Sequence, residues 1–154
     1  MMPFSSKDPG HIANYQPGLD MRTPKLVLSE TLIMEALLRN SHHNIIRYRG
    51  CRLRRGRITA IVLDQHDQTL SQLAETPEFS DFNKAELYKG VESAVDHIHS
   101  MGLAHHDINP DNIMFRNKTP ILIDFGSCQP FGEVLQSFGT PGWYEALSDV
   151  GEVS

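Results

Sequence analysis

The sequence predicts an α+β domain in which two short β-hairpins and two amphipathic helices share one core. Three observations carry that prediction. Residues 45–63 and 113–123 hold paired runs of β-branched and aromatic residues around turn signals. Residues 29–39 and 83–101 hold apolar residues at helical spacing. The chain has 154 residues, enough for one compact domain, and its 40% apolar fraction can furnish a core.

Residues 1–25 read as an irregular leader with room for one short strand, because Pro3, Pro9, Pro17 and Pro24 interrupt every candidate element. The first helix is expected over 29–39, with Ser29 as N-cap and Glu30 at the positive end of the dipole. Glu30, Ile33, Met34 and Leu37 fall at i, i+3, i+4 and i+7, so this carboxylate sits on the apolar face. Taken alone, it reads as a first-turn helix acid. The first hairpin follows over 45–63, with Arg54-Arg55-Gly56 as its turn. Six of the nine arginines lie between Arg47 and Arg57. An RNA- or phosphate-binding patch is one reading; the solvated face of a ribbon fits better, since only Tyr48 interleaves an aromatic ring.

Residues 64–75 form a polar stretch entering a short helix. The long helix over 83–101 opens with the capping pair Asn83 and Glu86 and stops at Gly102. Its stripe of Leu87, Val91, Ala94, Val95 and Ile98 is core packing. The runs 113–115 and 121–123, split by Arg116 to Pro120, make the second hairpin. From Gly126 onward the chain is Gly-rich, weakly periodic and expected to be mostly loop.

Several function classes are disfavoured. A formal charge of −5 argues against a general nucleic-acid or anionic-membrane binder. Cys51 and Cys128 lie 77 positions apart, which excludes a disulfide framework or a cysteine zinc module; both read as reduced, buried thiols. No secretory or membrane-spanning segment is visible, so the expectation is a cytoplasmic protein, with the nucleus left open.

The chemistry concentrates in residues 105–115 (HHDINPDNIMF) and 121–128 (ILIDFGSC). Asp107 and Asn112 enter one loop from opposite ends, and Asp124 follows the strand that pairs beside it. An acid, an amide and a second acid can converge there. Singly, Asp107 could be a turn residue, His105 a satisfied core histidine and Asn112 a loop cap. Their joint spacing favours a site.

This is where the chain resembles the eukaryotic-type protein kinase family. His105-His106-Asp107 is similar to the HRD triplet, Asn112 to the metal-binding asparagine, and Asp124-Phe125-Gly126 to DFG. The resemblance covers roughly 26–147, with 148–154 as a tail. It implies a partial bilobal kinase-like fold: a small β/αC portion of the N-lobe, then the helix, catalytic loop and hairpin of the C-lobe. It implies ATP and Mg²⁺ as cofactors, and a protein substrate or protein partner. Asp107 would be the catalytic residue. Asn112 and Asp124 would hold the metal, their oxygens being hard ligands suited to Mg²⁺. Glu30 resembles the αC glutamate, with Glu35 the weaker candidate. Leu63 would be the gatekeeper, and backbone groups of Asp64, Gln65 and His66 would face adenine. GTPGWYEAL, from Gly139, resembles the segment leading to the APE triplet.

Departures accompany the resemblance. No GxGxxG loop occurs, and no VAIK-like strand precedes Glu30. Lys25 is too near Glu30 for a separate strand, and Lys7 sits in the leader. His106 replaces the Arg of HRD, Asn109 the catalytic-loop lysine, and Glu145-Ala146-Leu147 the APE triplet. The chain thus resembles the middle of a kinase domain with both ends missing, which should leave the apolar face of 87–98 poorly covered.

Two readings follow. One is an ATP- and Mg²⁺-dependent protein kinase aimed at Ser or Thr hydroxyls. The other is a catalytically impaired pseudokinase or scaffold fragment, which the absent phosphate clamp favours for the isolated chain. A small-molecule kinase of the aminoglycoside or choline phosphotransferase type is a third, disfavoured by the DFG glycine and the GTPGW stretch.

Overall fold

The computed structural model describes residues 24–135, 140, 141 and 143, together with the backbone of 12–15. Strand β1 (Ile12–Tyr15) is followed by helix α1 (Pro24–Arg39), then strands β2 (Tyr48–Arg54) and β3 (Arg57–Asp64). The sheet order is β1-β3-β2, antiparallel throughout, with Tyr15 opposite Ile61 and Cys51 opposite Ile61 from the other side. The β2–β3 turn forms where expected. Arg55 and Gly56 carry φ of +52° and +74°, the pair of positive values that a two-residue turn needs to match strand twist.

One expectation holds in this half and one changes. The short strand for which the leader has room is β1, which precedes Glu30, joins the sheet through β3 and contains no lysine. Helix α1 begins at Pro24, five residues before the expected start. Proline reads as an interruption from sequence, yet its fixed φ and missing N–H suit a first helical turn. Ser29 is therefore not an N-cap. It lies inside the helix, and its hydroxyl donates to the Lys25 carbonyl at 2.9 Å.

Helix α2 (Leu70–Ala74) carries a full capping box, Thr69 with Gln72. Helix α3 (Lys84–Ser100) opens at Asn83, whose side chain accepts the Glu86 N–H at 3.1 Å, and stops at Gly102 with φ +75°. Strand β4 (Leu103–Ala104) leads into the loop that carries Asp107. Strands β5 (Ile113–Arg116) and β6 (Thr119–Leu122) form the second hairpin, so Ile123 lies just past its end. From Gly126 the described residues are mostly loop, as expected, apart from the two-residue strand β7 (Gln129–Pro130), which pairs with β4. Two-residue strands carry no periodicity to reveal them.

One core joins all of this. Met34 and Leu37 from α1, Tyr48 and Ile61 from the first hairpin, Ala94 and Ile98 from α3, and Ile121, Leu122 and Phe125 form a single buried cluster. Residues 44–46 clip the two hairpins together: Leu122 N–H donates to the Asn44 carbonyl (2.8 Å) and Ile46 N–H to the Leu122 carbonyl (3.0 Å). Helix α3 approaches closely at Gly90, where a Cβ would stand 2.4 Å from Pro120 Cγ. The stripe of α3 is better covered than expected at its C-terminal end. Ala94 and Ile98 are fully buried, while Leu87, Val91 and Val95 are half-buried. Cys128 is buried and Cys51 only half-buried; both thiols are free. Among the described residues, no helix is long and apolar enough to cross a membrane.

Candidate active site

The loop after β4 is fixed by its histidine. His105 is 1% exposed, and its Nδ1 accepts the Asp107 N–H at 3.2 Å. The ring proton therefore belongs on Nε2, which donates to the Ile123 carbonyl at 2.9 Å. That bond straps the loop to the chain just ahead of Asp124. The Phe125 ring meets His105 edge-on, 4.9 Å between centroids. Burial lowers the His105 pKa, outweighing the Ile123 carbonyl and the carboxylates of Asp124 and Asp107, so the ring is neutral near pH 7.

Asp107 is surrounded by donors. Its Oδ1 accepts the Thr140 N–H (2.6 Å) and Asn109 Nδ2 (3.0 Å), and its Oδ2 accepts Asn112 Nδ2 (3.0 Å). Burial works to raise its pKa, but the bonds from Thr140, Asn112 and Asn109 prevail and hold the carboxyl below its ordinary value. Asn112 ends a short 3₁₀ turn, Pro110–Asn112. Its NH₂ is committed to Asp107, which leaves the amide oxygen as its acceptor toward the cavity it lines. Asp124 adopts φ +57°, a left-handed conformation that aspartate tolerates when its side chain bonds locally, here Oδ1 to the Gly126 N–H at 3.2 Å.

A cavity of about 380 Å³ opens between α1, β3, the segment after β3 and this loop. Glu30, Leu63, Asp64, Gln65, His66, Asn112 and Asp124 all line it. Of the residues nominated from sequence, Glu35, the weaker of the two helix glutamates, does not line it, and Asp107 stands beside it and joins it through the Asn112 amide. The apolar walls, among them Ile46, Ile61, Met114 and Ile123, were not singled out from sequence. Strand alternation could have marked some of them as inward-facing, but not as facing a cavity.

The electrostatics are uneven. Asp64 is buried and paired with Arg49, Nε to Oδ1 at 2.6 Å and Nη2 to Oδ2 at 3.2 Å, which pins the end of β3. His66 has a lowered pKa, first from burial and then from Arg116, partly offset by Asp64 and Asp67. Among the described residues lining the cavity, none is lysine or arginine. Among the described residues, no group of three or more His, Cys, Asp or Glu side chains could hold a metal by itself. The amide oxygen of Asn112 and the carboxylate of Asp124 are nonetheless hard oxygen donors on one cavity, the partial set that suits Mg²⁺ completed by phosphate and water. Glu145-Ala146-Leu147 and most of the segment from Gly139 lie outside the described residues, Thr140, Pro141 and Trp143 excepted.

The family model for the protein kinase domain matches residues 15–146. The chain belongs to the protein kinase family. Among curated relatives, this kinase domain is 26% identical over 138 residues to serine/threonine-protein kinase SMU1 of Mycosarcoma maydis, covering 86% of this chain and 18% of that protein. It is 27% identical over 138 residues to serine/threonine-protein kinase MST20 of Pyricularia oryzae, covering 86% of this chain and 15% of that protein. A shorter match of 58 residues reaches 36% identity with serine/threonine-protein kinase RAD53 of Saccharomyces cerevisiae, covering 34% of this chain and 7% of that protein. The chain spans less than a fifth of the first two relatives' lengths. The mixed α and β elements fit a partial kinase domain. Family members use ATP with Mg²⁺ and act on proteins.

Proposed function

We propose that this chain binds Mg²⁺-ATP and transfers its γ-phosphoryl group to Ser or Thr hydroxyls of a protein. One observation carries the reading: a single cavity has Leu63 to His66 in one wall, Asn112 and Asp124 in another, and Asp107 hydrogen-bonded to Asn112 beside it. Backbone groups of Asp64 to His66 would face adenine, and Glu30 would border the phosphate end. Asn112 and Asp124 would hold Mg²⁺, whose charge offsets that of the phosphates. Asp107 would orient the attacking hydroxyl and receive its proton as the oxygen bonds to phosphorus and the bond to ADP breaks. With its pKa held low, Asp107 acts more by orientation than by basicity.

A second reading, an impaired kinase or scaffold, is favoured by one observation. No lysine or arginine lines the cavity among the described residues, so the clamp on the phosphates is weak. A thermal-shift titration separates the two. Millimolar Mg²⁺-ATP should raise the melting temperature, and Asp124→Asn should remove the Mg²⁺-dependent part of the rise. No shift at all would reject nucleotide binding and leave the scaffold reading.

A further inference from the structure

A second cavity, of about 300 Å³, opens between the end of α1, the segment 41–47, the start of β2 and Arg116 at the end of β5. It shares Ile46 with the first cavity and no other lining residue. Its chemistry is the reverse of the first. Arg47 and Arg116 line it, and among the described residues no Asp or Glu does. Its apolar wall includes Leu37, Ile45 and Tyr48, all buried. Like charges set against a low-dielectric wall reinforce one another's field and concentrate anions there.

Both guanidinium groups are available. Arg49, two residues beyond Arg47, is committed to Asp64. Among the described residues, neither the Arg47 nor the Arg116 side chain makes a hydrogen bond or an ion pair, and both are exposed. The Arg116 charge reaches as far as His66, whose pKa is lowered first by burial and then by Arg116.

The frame around them is fixed without a ligand. The Arg47 carbonyl accepts the Asp64 N–H at 3.0 Å, and Arg116 pairs with Thr119 in the second hairpin. His42 Nδ1 accepts the Asn44 N–H at 3.1 Å, so its ring proton lies on Nε2, which donates to Ser93 Oγ at 3.0 Å and ties the segment to α3. His43 stacks on that ring, 4.6 Å between centroids, and is exposed. Among the described residues, its ring nitrogens hold no hydrogen bond. Two planar forks suit a dianion with three oxygens, whereas a carboxylate would answer only one of them.

We infer that this cavity binds a phosphate group, carried by a free phosphate or by a phosphorylated side chain, with Arg47 and Arg116 clamping its oxygens and His43 donating a further bond. The inference stands apart from the kinase reading, because neither arginine lines the larger cavity.

The test records amide spectra of the isotope-labelled 154-residue chain at constant ionic strength, without nucleotide or Mg²⁺, at about pH 8, where phosphate is a dianion. Inorganic phosphate should shift the amides of His43, Arg47 and Arg116 saturably and leave those of Asn112 and Asp124 in place. Arg47→Gln and Arg116→Gln should each weaken binding on the order of tenfold, as loss of a charge-assisted contact implies. Neither should lower the melting temperature without phosphate, since each removes an exposed, unpaired charge. Should Arg47→Gln not fold, Arg116→Gln decides alone. Arg54→Gln, on the hairpin tip outside the cavity, should bind as the parent does. A phosphoserine peptide that binds more tightly than inorganic phosphate assigns the site to a phosphorylated side chain; equal binding assigns it to free phosphate. The inference fails if the shifts do not saturate, if acetate reproduces them, if they fall on Asn112 and Asp124 instead, or if Arg54→Gln loses as much affinity as the cavity variants.

Discussion

Asp107 illustrates how one side chain can be both held and available. Three donors occupy its oxygens, and each bond to a charged acceptor contributes about 1.5–3 kcal/mol net. Asp107→Asn keeps the shape and loses the charge. If the chain turns over, single-turnover kinetics should show a fall of about 10²–10⁴, the usual contribution of a positioned general base, with nucleotide affinity little changed. Unaltered turnover would remove Asp107 from the role proposed for it. Arg49 makes a second residue-level case. Asp64 is 8% exposed and depends on that guanidinium. Arg49→Ala should lower stability by about 1–2 kcal/mol in urea melts, a value discounted because Arg49 is itself part-exposed. Arg49→Lys, which keeps the charge and loses the fork, should recover only part of it.

Helix α3 is the element on which competing effects can be weighed. Gly90→Ala gains helix propensity of about 1 kcal/mol. The new methyl, however, would stand 2.4 Å from Pro120 Cγ, with Pro120 Cδ and Asn44 Nδ2 close behind at 3.1 and 3.0 Å. A proline ring cannot swing away, and Asn44 is tied to the Pro120 carbonyl at 2.9 Å. Overpacking of this kind costs about 1–3 kcal/mol. The clash should win in the parent, and Gly90→Ala should destabilise. In a Pro120→Ala background the sign should reverse, and denaturant midpoints of the double-mutant cycle decide it. At the helix start, Asn83→Ala should cost about 1 kcal/mol through the lost cap on Glu86.

Protonation acts on the whole molecule. His42, His66 and His105 all have pKa values below the ordinary 6.5, and burial is the first cause for each. For His42 the neighbouring His43 and His97 add to it. A lowered histidine pKa means that the unfolded chain binds the proton more readily than the fold does. Stability from these rings is complete above about pH 7 and declines as pH falls through 6.5 toward the folded values. Asp107 adds a later loss, as pH falls from the ordinary carboxylate value of 3.8 through its lowered one. Melting temperature should therefore fall between pH 7 and 5. A flat profile over that range would show that the three rings do not titrate as their burial implies.

Local chemistry made much of this legible. The β2–β3 turn follows from Arg55-Gly56, the start of α3 from Asn83 and its end from Gly102, since each signal acts on bonds within a few residues. The loop around Asp107 and the Asp124-Phe125-Gly126 triplet stand out in the sequence because six side chains at fixed short spacing carry the resemblance. Glu30 could be set on the buried face of α1 from periodicity alone. Other features depend on partners far away in the chain. Pro24 starts a helix rather than breaking one, β4 finds β7 across the intervening residues 105–128, and Tyr48, Ile61 and Phe125 meet in one core. Only folding places Asp107 beside the cavity instead of on its wall, with Thr140 against its carboxylate. A residue's own type and spacing fix what bonds it can make; which bonds it does make across long stretches of chain is settled when one core packs and every buried polar group must find a partner at once.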